Sequence, residues 1–131
     1  MPAVNWFAVI VATLAAFALG GLWYSPMLFL KPWQKAAGVS DDAIKASNLP
    51  LLFGLALLLT LLMAANLAFF VAGADLGLTL AYSLAAGLGW VTFGLGVVAL
   101  FERRPLAYFL INGGYLTLAF LLMGLILGLW R

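Results

Sequence analysis

Four polar side chains within one apolar stretch are the residues of this sequence most able to bind a ligand. Arg104, Tyr108, Asn112 and Tyr115 are spaced four, four and three positions apart, so a helix places them on one face. Guanidinium, phenol and amide groups all form hydrogen bonds with polar ligands. An amide left unpaired in hydrocarbon is costly, so Asn112 must face protein or water.

The surroundings of Asn112 have two interpretations. In the first, a pocket facing the cytoplasm is lined by Asn112, Tyr115 and Trp90, and the guanidinium of Arg104 lies at its mouth. In the second, Asn112 hydrogen-bonds a neighbouring helix, with Thr60 and Thr92 as candidate partners. The side chains expected at similar depth, and therefore candidate ligand-binding residues together with Tyr108, are Trp23, Tyr24, Trp90 and Thr92.

The composition excludes a water-soluble protein and several kinds of active site. Of the 131 residues, 67% are hydrophobic and 8% are charged, whereas globular domains carry about 25% charged residues. Lipid is therefore the expected solvent. Six basic residues against four acidic ones are too few for a nucleic-acid-binding face. The chain has no His and no Cys, so we expect no metal site and no cofactor.

Four apolar segments are each long enough to cross a bilayer, which takes roughly 20 residues. They lie at 5–24, 49–72, 78–101 and 106–130. None alternates as a barrel strand does, so the sequence predicts an all-α integral membrane protein with a single domain over 1–131. Since the later connections are short, the four helices are expected to form an antiparallel bundle.

The segment 25–48, between the first two helices, is expected to lie at the membrane surface. It mixes apolar residues such as Leu28 and Trp33 with lysines such as Lys35, a composition typical of the headgroup region. Ser40, followed by two Asp residues, predicts the N-cap of a short helix. Asp75 is the expected cap of the third long helix. The segment is an interfacial connector in one interpretation and a gating or binding loop in the other.

Small residues recur every four positions along the first helix, at Ala8, Ala12, Ala16 and Gly20. This spacing lets two helix backbones approach closely in a membrane. The ladder can pack inside the chain or between copies. Twofold dimers are the commonest assemblies, so we expect a homo-oligomer, with this ladder as its candidate interface.

Basic residues are distributed unevenly between the two ends of the predicted helices. Arg131 lies alone at one end, and the other end carries Lys31, Lys35, Lys45, Arg103 and Arg104. By the positive-inside rule the second end is cytoplasmic and both termini face outward.

Short motifs are spread over the whole chain. The most specific are Gly-Gly-Leu-Trp-Tyr-Ser-Pro at 20–26, Glu-Arg-Arg-Pro at 102–105 and Leu-Ile-Asn-Gly-Gly-Tyr at 110–115. With these motifs the chain resembles a bacterial membrane protein family known only as domain-of-unknown-function family 1761. The resemblance implies a multi-pass protein of the bacterial cytoplasmic (inner) membrane and implies no activity. Relatives often carry His after the last tyrosine, where this chain has Leu116.

Three classes of function are compatible with such a chain. The first is an oligomeric transporter or channel for a small solute, without proton coupling through a buried carboxylate, since Asp75 and Glu102 lie in turns. The second is a non-transporting membrane module that binds lipid or a protein partner. The third is a lipid-directed enzyme, but no catalytic motif is present, so we expect no enzymatic activity.

Overall fold

The computed structural model of the chain describes residues 3–130, and all regular secondary structure in this range is helical. The helices are α1 (Trp6–Trp23), α2 (Leu30–Ala37), α3 (Asp41–Ala46), α4 (Leu49–Phe70), α5 (Leu76–Leu84), a π-helical segment (Ala85–Thr92), α6 (Phe93–Phe101) and α7 (Leu106–Leu129). Helix α5, the π-helical segment and α6 together form one long helix. Arg131, which the charge distribution assigns to the outer side, lies outside the described residues, as do positions 1 and 2 of the predicted domain.

Four helices are long and apolar enough to cross a membrane: α1, α4, the long helix Leu76–Phe101 and α7. Their ends lie within two residues of the four predicted segments. The prediction of an all-helical chain with four such helices is confirmed.

The helix starts follow from capping chemistry. The side chains of Asn5, Ser40, Asn48 and Asp75 each accept a hydrogen bond from the backbone N–H three residues later, at 2.8–3.2 Å. Each bond pairs one of the amides that a helix N-terminus otherwise leaves unpaired. The predicted caps at Ser40 and Asp75 are therefore confirmed. Helix α2 ends at Gly38, whose φ of 71° is left-handed and suits glycine.

Helix α7 is the central helix of the fold. Of its membrane-length stretch 39% is buried inside the protein, against 17–28% for the other three long helices. It packs against α1, α4, α5, α6 and the π-helical segment. Its Phe120 and Met123 belong to one apolar core with buried residues of α1 and α4. The position of α7 therefore decides which side chains of the other helices meet.

The small-residue ladder of α1 packs within the chain. Ala8, Ala12 and Ala16 have 0% exposed surface and lie in the core shared with α4 and α7. The fourth member, Gly20, is covered by the ring of Tyr115. Of the two arrangements open to the ladder, the structure has the one inside the chain. The small side chains let α4 and α7 pack closely on α1, so Ala8, Ala12 and Ala16 have no surface left for a second copy.

No sequence signal predicts the π-helical segment, which occupies the centre of the third long helix. The segment packs closely on α7 at two points. A Cβ added to Gly87 would lie 2.6 Å from Cβ of Phe120, and one added to Gly113 would lie 2.6 Å from Cγ2 of Thr92. Close backbone approach at these glycines joins the third long helix to α7.

Candidate ligand-binding cavity

An open cavity of about 730 Å³ is bounded by α1, α4, α7 and the segment that contains α2 and α3. Helix α1 contributes its last two turns, α4 its first three, and α7 the side chains of Asn112 and Tyr115. The volume lies within the range of about 300–1,000 Å³ that is usual for small-molecule sites. Leu52 and Phe53 of α4 line the cavity and are also exposed. The cavity is therefore continuous with the outer apolar surface of the helices.

Most of the cavity wall is apolar. The apolar side chains come from all the bounding elements except α7, and those with the largest surfaces are Phe17, Leu30, Trp33, Val39, Ile44, Leu49, Leu52 and Phe53. The rings of Phe17 and Phe53 meet edge to face, with their centroids 6.3 Å apart. Among the described residues no charged side chain lines the cavity. The wall therefore suits a hydrocarbon group and offers no ion pair.

The polar end of the cavity is formed by Tyr24, Asn112 and Tyr115. The hydroxyl of Tyr24 donates to Oδ1 of Asn112 at 2.5 Å, and the hydroxyl of Tyr115 donates to the carbonyl of Ala16 at 3.1 Å. The two tyrosine rings are 5.6 Å apart, and Trp33 lies 5.7 Å from Tyr24 on its other side. The Nδ2 amide of Asn112 bonds no other described residue and is not buried. It is therefore a donor available to a ligand.

The polar end is held in place by close contact between α1 and α7. A Cβ on Gly20 would lie 3.1 Å from the hydroxyl of Tyr115, and one on Gly114 would lie 3.0 Å from the indole of Trp23. The same indole donates its N–H to the carbonyl of Ile111 at 2.9 Å. These glycines let an aromatic ring from each helix lie directly on the backbone of the other. The motifs at 20–26 and 110–115 therefore specify one helix contact.

Only part of the predicted pocket comes together. Asn112 and Tyr115 line the cavity with Tyr24. The candidate Trp23 does not line it; its indole bonds the backbone of α7 at Ile111. Trp90 lies elsewhere: it is 67% exposed, and its ring packs on Phe70. The prediction that Trp90 lines the pocket is wrong. The π-helical segment packs on α7 through residue 92, and a side chain two positions earlier cannot share that face.

Both threonines proposed as partners of Asn112 bond elsewhere. Thr92 is buried; its hydroxyl donates to the carbonyl of Gly113 at 3.2 Å and lies 3.0 Å from that of Thr117. The hydroxyl of Thr60 donates within its own helix at 2.7 Å. The interpretation that Asn112 hydrogen-bonds a neighbouring helix is therefore right, but its candidate partners are wrong. The partner is Tyr24, at the end of α1, whose ring is long enough to bring its hydroxyl to the amide.

Arg104 and Tyr108, the two members of the polar stripe nearest the start of α7, have a different role. The guanidinium of Arg104 donates to the carbonyl of Ala37, at the end of α2, at 3.1 Å. It also lies over the ring of Tyr108, 5.3 Å from the ring centre. Neither residue lines the cavity, so the prediction of Arg104 at the pocket mouth is wrong. The pair instead joins the α2–α3 segment to the start of α7.

Part of the apolar wall comes from α2 and α3, where the sequence predicts no site residue. Leu30 and Trp33 lie three positions apart on α2, and Val39 and Ile44 follow around α3. The signal in the sequence is this spacing of apolar residues among lysines, which predicts one apolar face on α2. The segment 25–48 therefore forms part of the cavity wall as well as connecting two helices.

The lining side chains limit the kinds of interaction that the cavity can form with a ligand. Its polar groups are hydroxyls, an amide and an indole, with no carboxylate, amine or guanidinium among the described lining residues. Within residues 3–130 no three carboxylates are grouped in a way that would hold a metal ion. Hydrogen bonding and apolar contact are therefore the interactions that the cavity offers a ligand.

Four apolar helices of membrane-crossing length and one open, mainly apolar cavity define a small helical protein of membrane-like composition. The chain belongs to the family described as "Protein of unknown function (DUF1761)", whose model matches residues 7–128. The resemblance carried by the motifs is thereby confirmed over nearly the whole chain. No curated protein and no solved structure matches the chain.

Proposed function

We propose that this chain is an integral membrane protein that binds an amphipathic molecule, a lipid or lipid-like compound, in the cavity between α1, α4 and α7. The observation that carries the proposal is an open cavity whose wall is mainly apolar and whose hydrogen-bonded polar end is formed by Tyr24 and Asn112. Of the three function classes this is the non-transporting membrane module.

Support for membrane insertion comes from the outer surface of the helices. Phe7, Leu100 and Phe101 are 74%, 78% and 85% exposed. Each would be costly in water, at about 25 cal/mol per Å² of apolar surface, whereas lipid tails are equally apolar. We therefore propose four spanning helices in an antiparallel bundle. The bias of basic residues supports outward termini in a bacterial cytoplasmic membrane.

The α2–α3 segment supports a ligand that lies across the membrane interface. Lys31 and Lys35 are exposed while Leu30 and Trp33 line the cavity, as expected for a helix with its apolar face turned towards the acyl chains. Asn112 lies seven positions after Pro105 along the chain, about 10 Å below that end of α7. A molecule with a polar group at this depth and an apolar remainder fits both parts of the site.

Binding is better supported than catalysis or solute passage. A polar solute needs polar groups along its whole path. Beyond the polar end, the described lining offers mainly apolar side chains, and the hydroxyls of Ser47 and Thr60 already donate within their own segments. Acid–base catalysis needs a titratable group near the operating pH, and no carboxylate or amine lines the cavity in the described range. The protein is therefore proposed to hold its ligand unchanged.

Fluorescence quenching by a brominated amphiphile tests this proposal in nanodiscs of unlabelled phosphatidylcholine. Methyl 5-bromoundecanoate, which carries its bromine near the ester, should quench tryptophan emission saturably. Trp33 lines the cavity, so Trp33→Phe should remove most of the saturable part; Trp90→Phe, outside the cavity, should retain it. No atom lies within 4 Å of a Cβ at Gly21 or Gly54, but only Gly21 lines the cavity. Gly21→Leu should therefore block quenching and Gly54→Leu should not.

Two results would overturn the proposal. One is quenching that rises linearly with probe and is the same in Gly21→Leu and Gly54→Leu. The other is flux of a small polar solute into liposomes that Gly21→Leu stops and Gly54→Leu leaves unchanged, which would favour the transporter. The homo-oligomer stays a prediction, measured by the mass of the protein in detergent.

A further inference from the structure

The polar hydrogens around the cavity are almost all in use. Tyr24 and Tyr115 donate to Asn112 and to a carbonyl of α1. The hydroxyls of Thr60 and Ser47 donate to carbonyls of their own segments at 2.7 and 2.5 Å. Among the side chains of the described lining residues, the donors that remain unpaired are the Nδ2 amide of Asn112 and the indole N–H of Trp33.

The groups left available are therefore hydrogen-bond donors. The indole N–H of Trp33 forms no bond with a described residue, and no unpaired side-chain nitrogen or oxygen is buried in the range 3–130. Both Trp33 and Asn112 line the cavity. A ligand that presents an acceptor oxygen satisfies these donors, whereas a purely apolar ligand leaves the amide unpaired.

A charged headgroup is poorly matched to the same end. No charged side chain of the described range lines the cavity, and the guanidinium of Arg104 is directed to Ala37 and Tyr108. An ion that entered would lose its hydration without gaining a counter-charge. The cavity should therefore discriminate against carboxylate and ammonium heads carried on the same chain.

We propose that the ligand of this cavity is an uncharged amphiphile whose acceptor oxygen, the carbonyl of an ester, amide or ketone, receives a hydrogen bond from Asn112. This inference rests on the proposed function and adds the chemical class of the ligand. The unbranched apolar part lies along Phe17, Leu52 and Phe53, and the carbonyl reaches the polar end beside Tyr24.

The test compares four probes in the nanodisc assay, each with one undecyl chain and one bromine on its fifth carbon. Their heads are a methyl ester, a carboxylate, a trimethylammonium group and none, and each affinity is corrected for partition into empty nanodiscs. The ester should bind at least tenfold tighter than either ion. Asn112→Leu should weaken the ester about three- to tenfold relative to the headless probe, as expected for one lost hydrogen bond.

Matched variants keep the test decisive. Asn66→Leu removes an exposed amide of α4 that does not line the cavity and should change no probe. Asn112→Asp keeps the acceptor for Tyr24 but replaces the donor with a charge. This variant should no longer bind the ester and should bind the trimethylammonium probe. It replaces Asn112→Leu as the test if that variant does not fold.

Failure of the inference differs from failure of the proposed function. Equal affinity of wild type for ester, carboxylate and ammonium, or an Asn112→Asp variant with unchanged preference, would overturn the neutral-acceptor inference while cavity binding stands. If no probe, including the headless one, quenches Trp33 saturably, the proposed function itself fails.

Discussion

Gly113 of α7 faces Thr92 of the π-helical segment across a close helix contact. A Cβ at Gly113 would lie 2.6 Å from Cγ2 of Thr92, which is 0.8 Å short of the 3.4 Å at which ordinary contact begins. Both residues are buried, so neither helix can yield without disturbing the core. Overpacking of this kind costs about 1–3 kcal/mol. Gly113→Ala should therefore destabilise the protein by about that amount, less the gain from the better helix propensity of Ala.

Two further variants separate these terms. Gly94→Ala places the same methyl group where no atom lies within 4 Å, so it measures propensity alone, a stabilisation of up to about 1 kcal/mol. Thr92→Ser removes the clashing methyl and keeps the hydroxyl that bonds α7. The remaining atoms of residue 92 would then lie 3.8 and 3.9 Å from the new Cβ, in ordinary contact.

The assay is a double-mutant cycle measured by SDS-induced unfolding in mixed micelles and followed by circular dichroism. Gly113→Ala and Thr92→Ser should each lower the free energy of unfolding. The double variant should lose about 1–2 kcal/mol less than the sum of the two single losses. Additivity within about 0.5 kcal/mol would refute this account of the contact. It would show that α7 and the π-helical segment do not approach as closely as described.

Two other predictions concern topology and the ladder. The chain has no Cys, so single cysteines at Asp42 and Ala74 are unique thiols; an impermeant reagent on intact cells should label only Ala74→Cys, and labelling of Asp42→Cys instead would invert the topology. Ala12→Leu fills a position with 0% exposed surface and should cost about 1–3 kcal/mol of stability, while Ala18→Leu, on the exposed side of α1, should change it by less than about 0.5 kcal/mol. If the Ala12→Leu variant stays as stable as the wild type but no longer forms a dimer, the ladder packs between copies and not within the chain.

The ends of the helices were predictable because they depend on short-range chemistry. Ser40 and Asp75 cap helices through bonds to amides only three residues away, and an uninterrupted apolar run sets the length of each long helix. The polar end of the cavity was partly predictable for the same reason, since Asn112 and Tyr115 share a face of α7 by their spacing alone. The pairing partner of that face was not.

By itself the sequence determined the number, length and capping of the helices and the depth of each polar residue along its helix. Only the tertiary structure decided how each helix is rotated about its axis. Rotation depends on contacts between distant residues, such as Tyr115 on Gly20 and Thr92 on Gly113. Since membrane helices pack through small residues rather than one apolar stripe, ladders on several helices compete and only their fit selects the pairs. Because α1 pairs with α4 and α7 in this way, Ala12 is buried inside the chain, and Tyr24 rather than a threonine bonds Asn112.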